Sequence, residues 1–573
     1  MVVPLKNLSK DSYHENTGFK LKDRKEKESM DIPFKDPSKD FYRESAELKF
    51  IFDYLPKDHP VFVYADILLK LDTSEIEKKY SPIGQRAYHP TMLMGLLIYS
   101  YCHGVFSSRE IASRCRTDIG FMYISWMLQP DHRTISDFRK DNIEEFKKFF
   151  KSTVLLAKEM GMVNLGHISL DGSKFKADTS KHKAMSYGYM QKEEKKLMKE
   201  IENLLTRANR VDEAEDSYLG EQRGEEIEQE LQIRKKRLKK IQEAKEALEN
   251  REKAENPGKE IEGKKQISFA DKEARIMGKR GSFGYDYNAQ ISVESSNQII
   301  IGQHITQEAN DKKEVKPALE EIEATLSAKP EKMSMDNGYL SAENIETLEE
   351  QEIDGYIATG REGKTKEEIE KSNRKITKED FIYDKETDRY TCPEGKILGL
   401  KSSGSDGKKI YQAKASDCEQ CPWRSRCTKS DQGRSVNVDA QEPVRQRMNE
   451  KMQNPESKEV YKQRKTIVEP VFGVIKSNSM GFVHFSLRGV KKVSGEFALV
   501  CGAYNLKKIV KKALFKGEVC PNSEIQGAKV VELEENGTNL ASSFVFLLLR
   551  FIRKFLATLS VRFRMHSVSY NHC

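Results

Sequence analysis

Three acids in this 573-residue chain sit where a carboxylate can do more than solvate a surface: Asp171, Asp336 and Glu469. Asp171 closes the strand-like run His167-Ile-Ser-Leu-Asp171, directly before Gly172. Asp336 closes a second such run, Lys332-Met-Ser-Met-Asp336, before Asn337-Gly338. Glu469 opens the helical pattern Val468–Lys476, and Pro470 after it marks a first-turn or cap position. Carboxylates at the ends of neighbouring strands and at a helix start can converge. Left bare they repel, and some of them protonate. A pair of Mg²⁺ ions removes that penalty: ions about 3.5–4 Å apart can activate an attacking oxygen and stabilise a leaving one in phosphoryl transfer. Each acid alone has an ordinary reading, since an Asp before Gly is commonly a turn residue.

The elements that must position these acids read as a mixed α/β arrangement. Strand patterns cover 167–171, 288–294, 298–305, 332–336 and 355–360, with Ser295-Ser-Asn297 as a hairpin turn. Helical patterns cover 315–326 and 341–351, and later 460–480 and 494–512. A run of strands followed by strand–helix alternation predicts a mixed sheet flanked by helices. Before it, residues 46–155 read as a helical domain. Pro90–Tyr101 is apolar nearly all round, which predicts a buried helix. Ser107 followed by Glu110 predicts a capping box. Short helices with basic outer faces, through Asp131–Arg139, suggest a helix-turn-helix-like DNA-binding layout.

Two insertions interrupt the sheet pattern over 160–515. Residues 190–262 are dense in Glu, Lys and Arg, with Leu231, Leu238, Ile241 and Leu248 at heptad steps. A break at 216–224 predicts a helical hairpin. Residues 361–455 contain Cys392, Cys418, Cys421 and Cys427, spaced Cys-x25-Cys-x2-Cys-x5-Cys. Four thiolates of this kind close a tetrahedral structural Zn²⁺ site. Few apolar residues surround them, so a metal staple is expected to order the insertion in place of a core. The other five cysteines, Cys102, Cys115, Cys501, Cys520 and Cys573, read as reduced thiols in a cytoplasmic setting. Residues 1–45 form a polar arm, and 516–573 a basic, apolar tail of no assigned role.

Composition bounds the function classes. Charged residues make up 33% and the net charge is +8, which argues against an acidic, disordered protein. No run of 18 apolar residues occurs; Arg550, Arg553 and Lys554 interrupt the apolar stretch 544–559. The first 27 residues carry no apolar stretch of signal-peptide type. No membrane partner is required by this composition.

The chain resembles a bacterial insertion-sequence transposase of the DDE type, most like the IS1182 group within the wider IS4/IS5-like assemblage. The resemblance spans about residues 50–512. It is carried by Pro130–Arg139, Leu170-Asp-Gly-Ser-Lys174, Met335-Asp-Asn-Gly-Tyr339, the block Tyr461–Lys476, Leu487-Arg-Gly, and Ala503–Lys508. The block Tyr461…Arg464…Glu469…Lys476 matches the third-acid signature of Tyr, Arg, Glu and Lys. Four residues separate Arg464 from Glu469, one more than the usual spacing. The resemblance implies an RNase H-like fold, with Asp171, Asp336 and Glu469 as catalytic ligands of two Mg²⁺ ions, for which Mn²⁺ can substitute. It implies binding of double-stranded DNA at terminal inverted repeats by the helical domain, strand cleavage, and transfer of the freed 3′-hydroxyl to target DNA. A homodimer is expected to pair the two ends, and metal activation predicts no covalent protein–DNA intermediate. Glu469 and Lys476 lie two helical turns apart, roughly 10 Å, on one face. Lys476 and Arg464 are expected on phosphates, and Tyr461 on a base or sugar. A catalytically silent DNA-binding derivative and a nuclease on the same fold are the alternatives.

Overall fold

The computed structural model describes residues 55–515 except 57–58, 69, 82–85, 180–183, 213–219, 280–281, 360–369, 371–373, 405–406 and 478. The expected arm over 1–45 and the tail over 516–573 lie outside the described residues.

The N-terminal region is helical throughout. The helix Pro90–Cys102 is buried at every position. Its start is set by Pro90 in the first turn and by the His89 imidazole, which accepts from the Thr91 amide. Asp131 likewise accepts from the Arg133 amide and starts the helix His132–Asp141. The capping box expected at Ser107 does not form. Ser107 precedes the helix Ser108–Thr117 without a side-chain cap bond, because Glu110 turns along the helix to Arg114 at 3.0 Å. Helix Val490–Phe515 packs on helix Ile143–Glu159 and on the sheet, so one apolar core runs through both regions. Among the described residues no helix is long and apolar enough to cross a membrane.

The main sheet is mixed. Strand β1 (His167–Lys176) pairs antiparallel with β5 (Ser282–Glu294) and parallel with β7 (Lys332–Met335). β4 (Arg275–Lys279) and β6 (Ile300–Thr306) both pair antiparallel with β5 along its other edge, and β8 (Asp354–Ile357) pairs parallel with β7. Every strand read from the sequence is present. Two of them are longer than read: β5 starts at Ser282, six residues before Asn288, and β1 runs five residues past Asp171, because the two stay paired as far as Lys176 opposite Asp286. Asp171 is therefore mid-strand, not terminal. The short pair β2 (Ala184–Ser186) and β3 (Gln266–Ser268) closes the base of the charged insertion.

That insertion is the expected hairpin. Helices Tyr187–Asp212 and Gly220–Glu255 run antiparallel over a narrow seam of Met190, Leu197, Ile241, Ala244 and Leu248. Arg237–Glu193, Lys245–Glu194 and Arg234–Glu200 pair across it at 2.7, 2.8 and 3.0 Å.

The second insertion corrects an expectation. It carries its own antiparallel sheet, ordered β13-β12-β11-β10-β9, from β9 (Ile382–Asp384), β10 (Arg389–Thr391), β11 (Ile397–Ser403), β12 (Lys409–Ala413) and β13 (Ser435–Val438). Phe381, Tyr390, Leu398, Tyr411, Trp423 and Val436 form a core of its own. The apolar residues are spread about one per strand, so strand alternation brings together what a linear reading sees as sparse.

Candidate active site

The parallel pair β1–β7 holds only over His167–Ser169 opposite Lys332–Ser334. Buried hydroxyls pin it there, Ser169 Oγ to Ser334 Oγ at 2.7 Å, with His167 Nε2 against the same Ser334 at 2.9 Å. Beyond that clasp the strands part. Asp171 on β1 and Asp336 at the end of β7 stand at the opening, the place where open sheets with parallel strands carry their ligands.

Asp171 is mostly buried, with 16% of its side chain exposed. Its Oδ1 accepts from the Gly172 amide and lies 3.0 Å from Arg464 Nη2. Burial pushes its carboxyl up to about 6; the charges of Asp336 and Asp311 add to that and Arg464 opposes it. Asp336 caps the short turn Asn337–Tyr339, its Oδ1 accepting from the Gly338 amide at 2.8 Å. Glu469 is the first residue of helix Glu469–Lys476 and is half exposed. Asp171 and Glu469 are joined through Arg464, whose guanidinium is 8% exposed and reaches Glu469 Oε1 at 3.6 Å. The structure thus brings all three sequence-predicted acids to one place, around a single buried cation.

The three DNA-contact candidates are placed differently from the outward contacts expected. Arg464 is turned inward: the acids beside it favour the guanidinium there, and Asp171 raises its pKa against the cost of burial. Lys476 hydrogen-bonds Ser173 Oγ and reaches the Lys174 carbonyl at 3.3 Å, its ammonium 4.3 Å from the Phe175 ring centre. It braces β1 two residues beyond Asp171. Tyr461 is half-buried against the core of Met448, Met452 and Tyr356. Arg139, at the end of the expected basic surface, is also inward, bonded to the Phe106 carbonyl and to Tyr101 Oη.

Sequence reasoning missed four residues that complete the site. Asp311, before helix Val315–Leu326, accepts from Gln290 Nε2 at 2.6 Å and Asn288 Nδ2 at 2.7 Å. Tyr339, fully buried, donates to Gln290 Oε1. The signal was available: Asp286, Asn288, Gln290, Ser292 and Glu294 put a polar residue at every second position of β5, all of them buried, and buried amides need polar partners.

In the second insertion, Cys392, Cys418, Cys421 and Cys427 gather on one edge of the small core. Backbone amides point at two of the sulfurs, Lys396 N to Cys392 Sγ at 3.3 Å and Arg434 N to Cys418 Sγ at 3.4 Å. Burial pushes the Cys427 thiol up to about 11, and Arg434 partly offsets it. Among the described residues, no three His, Cys, Asp or Glu side chains stand in a group that could hold a metal ion. At the acids, the Arg464 guanidinium occupies the space between Asp171 and Glu469.

Two family models match the chain. One, described as a transposase DDE domain, covers residues 391–510, from the cysteine module through Glu469 and Lys476. The other, described as a transposase domain (DUF772), covers residues 49–141 of the helical region. No curated protein and no solved structure matches.

Proposed function

We propose that this chain, an insertion-sequence transposase of the IS1182-like kind by its two family matches, binds the terminal inverted repeats of its element and performs divalent-metal-dependent DNA cleavage and strand transfer. The observation that carries the reading is the convergence of Asp171, Asp336 and Glu469, from a central strand, the end of its parallel neighbour and a late helix. An RNase H-like core is supported by the strand path β6-β5-β1-β7-β8, antiparallel on one side of β1 and parallel on the other.

The donor set suits Mg²⁺ or Mn²⁺: hard carboxylate oxygens whose mutual repulsion is only partly offset by one guanidinium. Asp171, Asp336 and Glu469 would hold the ions, which when bound would activate the attacking oxygen and neutralise the phosphoryl group. The chain's own residues do the positioning. Arg464 keeps Asp171 and Glu469 facing one another, and Lys476 fixes β1 beside them. Exposed Arg109 and Arg116, on the helix whose opposite face buries Ile111 and Cys115, supply cations for a DNA backbone. A synaptic homodimer and a cytoplasmic, nucleoid-bound location belong to the same reading. We also propose that the four gathered cysteines hold one structural zinc, supported by the amide-to-sulfur bonds. Metal analysis of the purified protein tests it: about one zinc per chain, lost in Cys421→Ser, is expected.

The decisive experiment is cleavage of a plasmid carrying the gene's own flanking repeats, with Mg²⁺, with EDTA, and with Glu469→Ala. Metal-dependent cuts at the repeat boundaries, abolished in the variant, are expected, followed by joined products. Repeat-specific binding with no cutting, equal in parent and variant, would sink the catalytic assignment. Cutting without joining would leave only a nuclease.

A further inference from the structure

Asp311 is a half-buried carboxylate held by hydrogen bonds from neutral groups. Among the described residues no Lys, Arg or His pairs with it, whereas its neighbour Glu314 pairs with His304 at 2.8 Å. Its Oδ1 takes both bonds from neutral amides, Gln290 and Asn288. Neutral donors fix the orientation of a carboxylate and leave its charge in place. Tyr339 fixes that orientation further. By donating to Gln290 Oε1 it turns the amide so that Nε2 must face Asp311. Tyr339 belongs to the same turn that Asp336 caps.

The glycines after the first two acids face this same carboxylate. A Cβ at Gly172 would lie 2.9 Å from Asp311 Oδ1 and 2.3 Å from Gln290 Nε2. A Cβ at Gly338 would lie 3.1 Å from Asp311 Oδ2 and 2.9 Å from Asp336 Oδ1. Each oxygen of Asp311 is thus packed against the backbone that follows one of the acids. Any larger residue at either position would push it away. The one guanidinium of the site makes its ion pairs with Asp171 and Glu469, not with Asp311.

We propose that Asp311 is a fourth carboxylate of the site, adding its charge to those of Asp171, Asp336 and Glu469 where a divalent cation is held. The inference rests on the metal-dependent reading above and deepens it. A half-buried, rigidly oriented acid, packed against the backbone after two others and paired with no cation among the described residues, raises the local demand for a cation, and its close approach is built into both glycines.

The test is titration of the full chain with Mn²⁺ followed by electron paramagnetic resonance, with thermal melting in EDTA alongside. Asp311→Asn keeps an oxygen that accepts both amides, so its melting temperature should match the parent. Its Mn²⁺ affinity should fall by about tenfold or more, the usual cost of disturbing a metal's ligand shell. Asp311→Glu, which keeps the charge, should bind Mn²⁺ better than Asp311→Asn. Equal Mn²⁺ titrations for parent and Asp311→Asn would overturn the proposal. So would two variants that melt lower and lose binding alike, because Asp311 would then be only a structural acceptor. A parent chain that binds Mn²⁺ no better than Asp171→Asn would instead bring down the metal-dependent reading itself.

Discussion

Where the main sheet opens, Asp171, Asp336 and Asp311 stand close together, Arg464 pairs with Asp171 among them, and burial drives Asp171 up to about 6. In the cysteine module Asp388 alone takes bonds from Tyr383, Tyr411 and Lys409, and the Tyr383 hydroxyl, then the other two, hold it down to about 2. The same functional group has few cationic partners in one region and is saturated with donors in the other. Saturated carboxylates serve the fold. Undersatisfied ones cost stability and leave charge for something that is not protein.

The largest consequence falls on Asp171. Asp171→Asn should lower strand cleavage by about a thousandfold or more, as losing a metal-binding acid does. Its melting temperature at pH 7 should stay level or rise. The sign follows from the direction of the shift. A carboxyl raised in the folded state opposes folding once the unfolded chain ionises, near pH 4, and the cost grows until the folded group ionises, near 6. The variant should therefore gain on the parent between pH 4 and 6 and hold that gain above. A variant that melts well below the parent at pH 7 would break the comparison.

Glu496 sharpens it from the other side. It lies wholly buried, yet it accepts from Tyr101 Oη at 3.0 Å, Ser486 N at 2.9 Å and Leu487 N at 3.0 Å, tying the helical region to the long C-terminal helix. Glu496→Ala strands those donors in the core and should cost about 3–5 kcal/mol in denaturant unfolding. Divalent-ion affinity of the folded fraction should be unchanged.

How much of this was legible in the sequence follows the range of the interactions. Five strands of the main sheet, the hairpin insertion and the nearness of the three acids could be read because each rests on local periodicity or a short motif; β4 and the five strands of the cysteine module could not. The length of β1 could not, since it is set by pairing with a strand more than a hundred residues later. Asp311 was hidden for the same reason: its partners Asn288 and Gln290 lie on a different element, and by itself it looks like a residue leading into a helix. The core of the cysteine module escaped because residues contributed singly by separate strands form no run. The inward turn of Arg464 depends on which acids surround it, which spacing along the chain does not tell.

Glycines offer a smaller contrast between the two regions. At Gly338 an added Cβ meets Asp336 Oδ1 at 2.9 Å, whereas at Gly399, on β11 of the module, nothing lies within 4 Å. Gly338→Ala should cost about 1–3 kcal/mol by overpacking and displace Asp336 from its place, with a clear loss of cleavage. Gly399→Ala should stay within about 0.5 kcal/mol of the parent and cleave normally. Equal behaviour of the two would remove the argument that the glycines at the acids exist for close approach.

The smallest effect is expected at Asp388. With 39% of its side chain exposed, solvent screens its pairing with Lys409, and Asp388→Asn should destabilise the chain by less than about 1 kcal/mol at pH 7. Its signature is the pH dependence. A carboxyl held below its unfolded value contributes stability that is fully present above about pH 4 and lost as pH falls towards 2. The parent should therefore lose its advantage over the variant across that window, opposite in sign to the Asp171 pair and at lower pH. Melting curves of the parent and the two variants from pH 3 to 7 would show two opposite trends if the partnering of carboxylates divides the molecule in this way, and parallel lines if it does not.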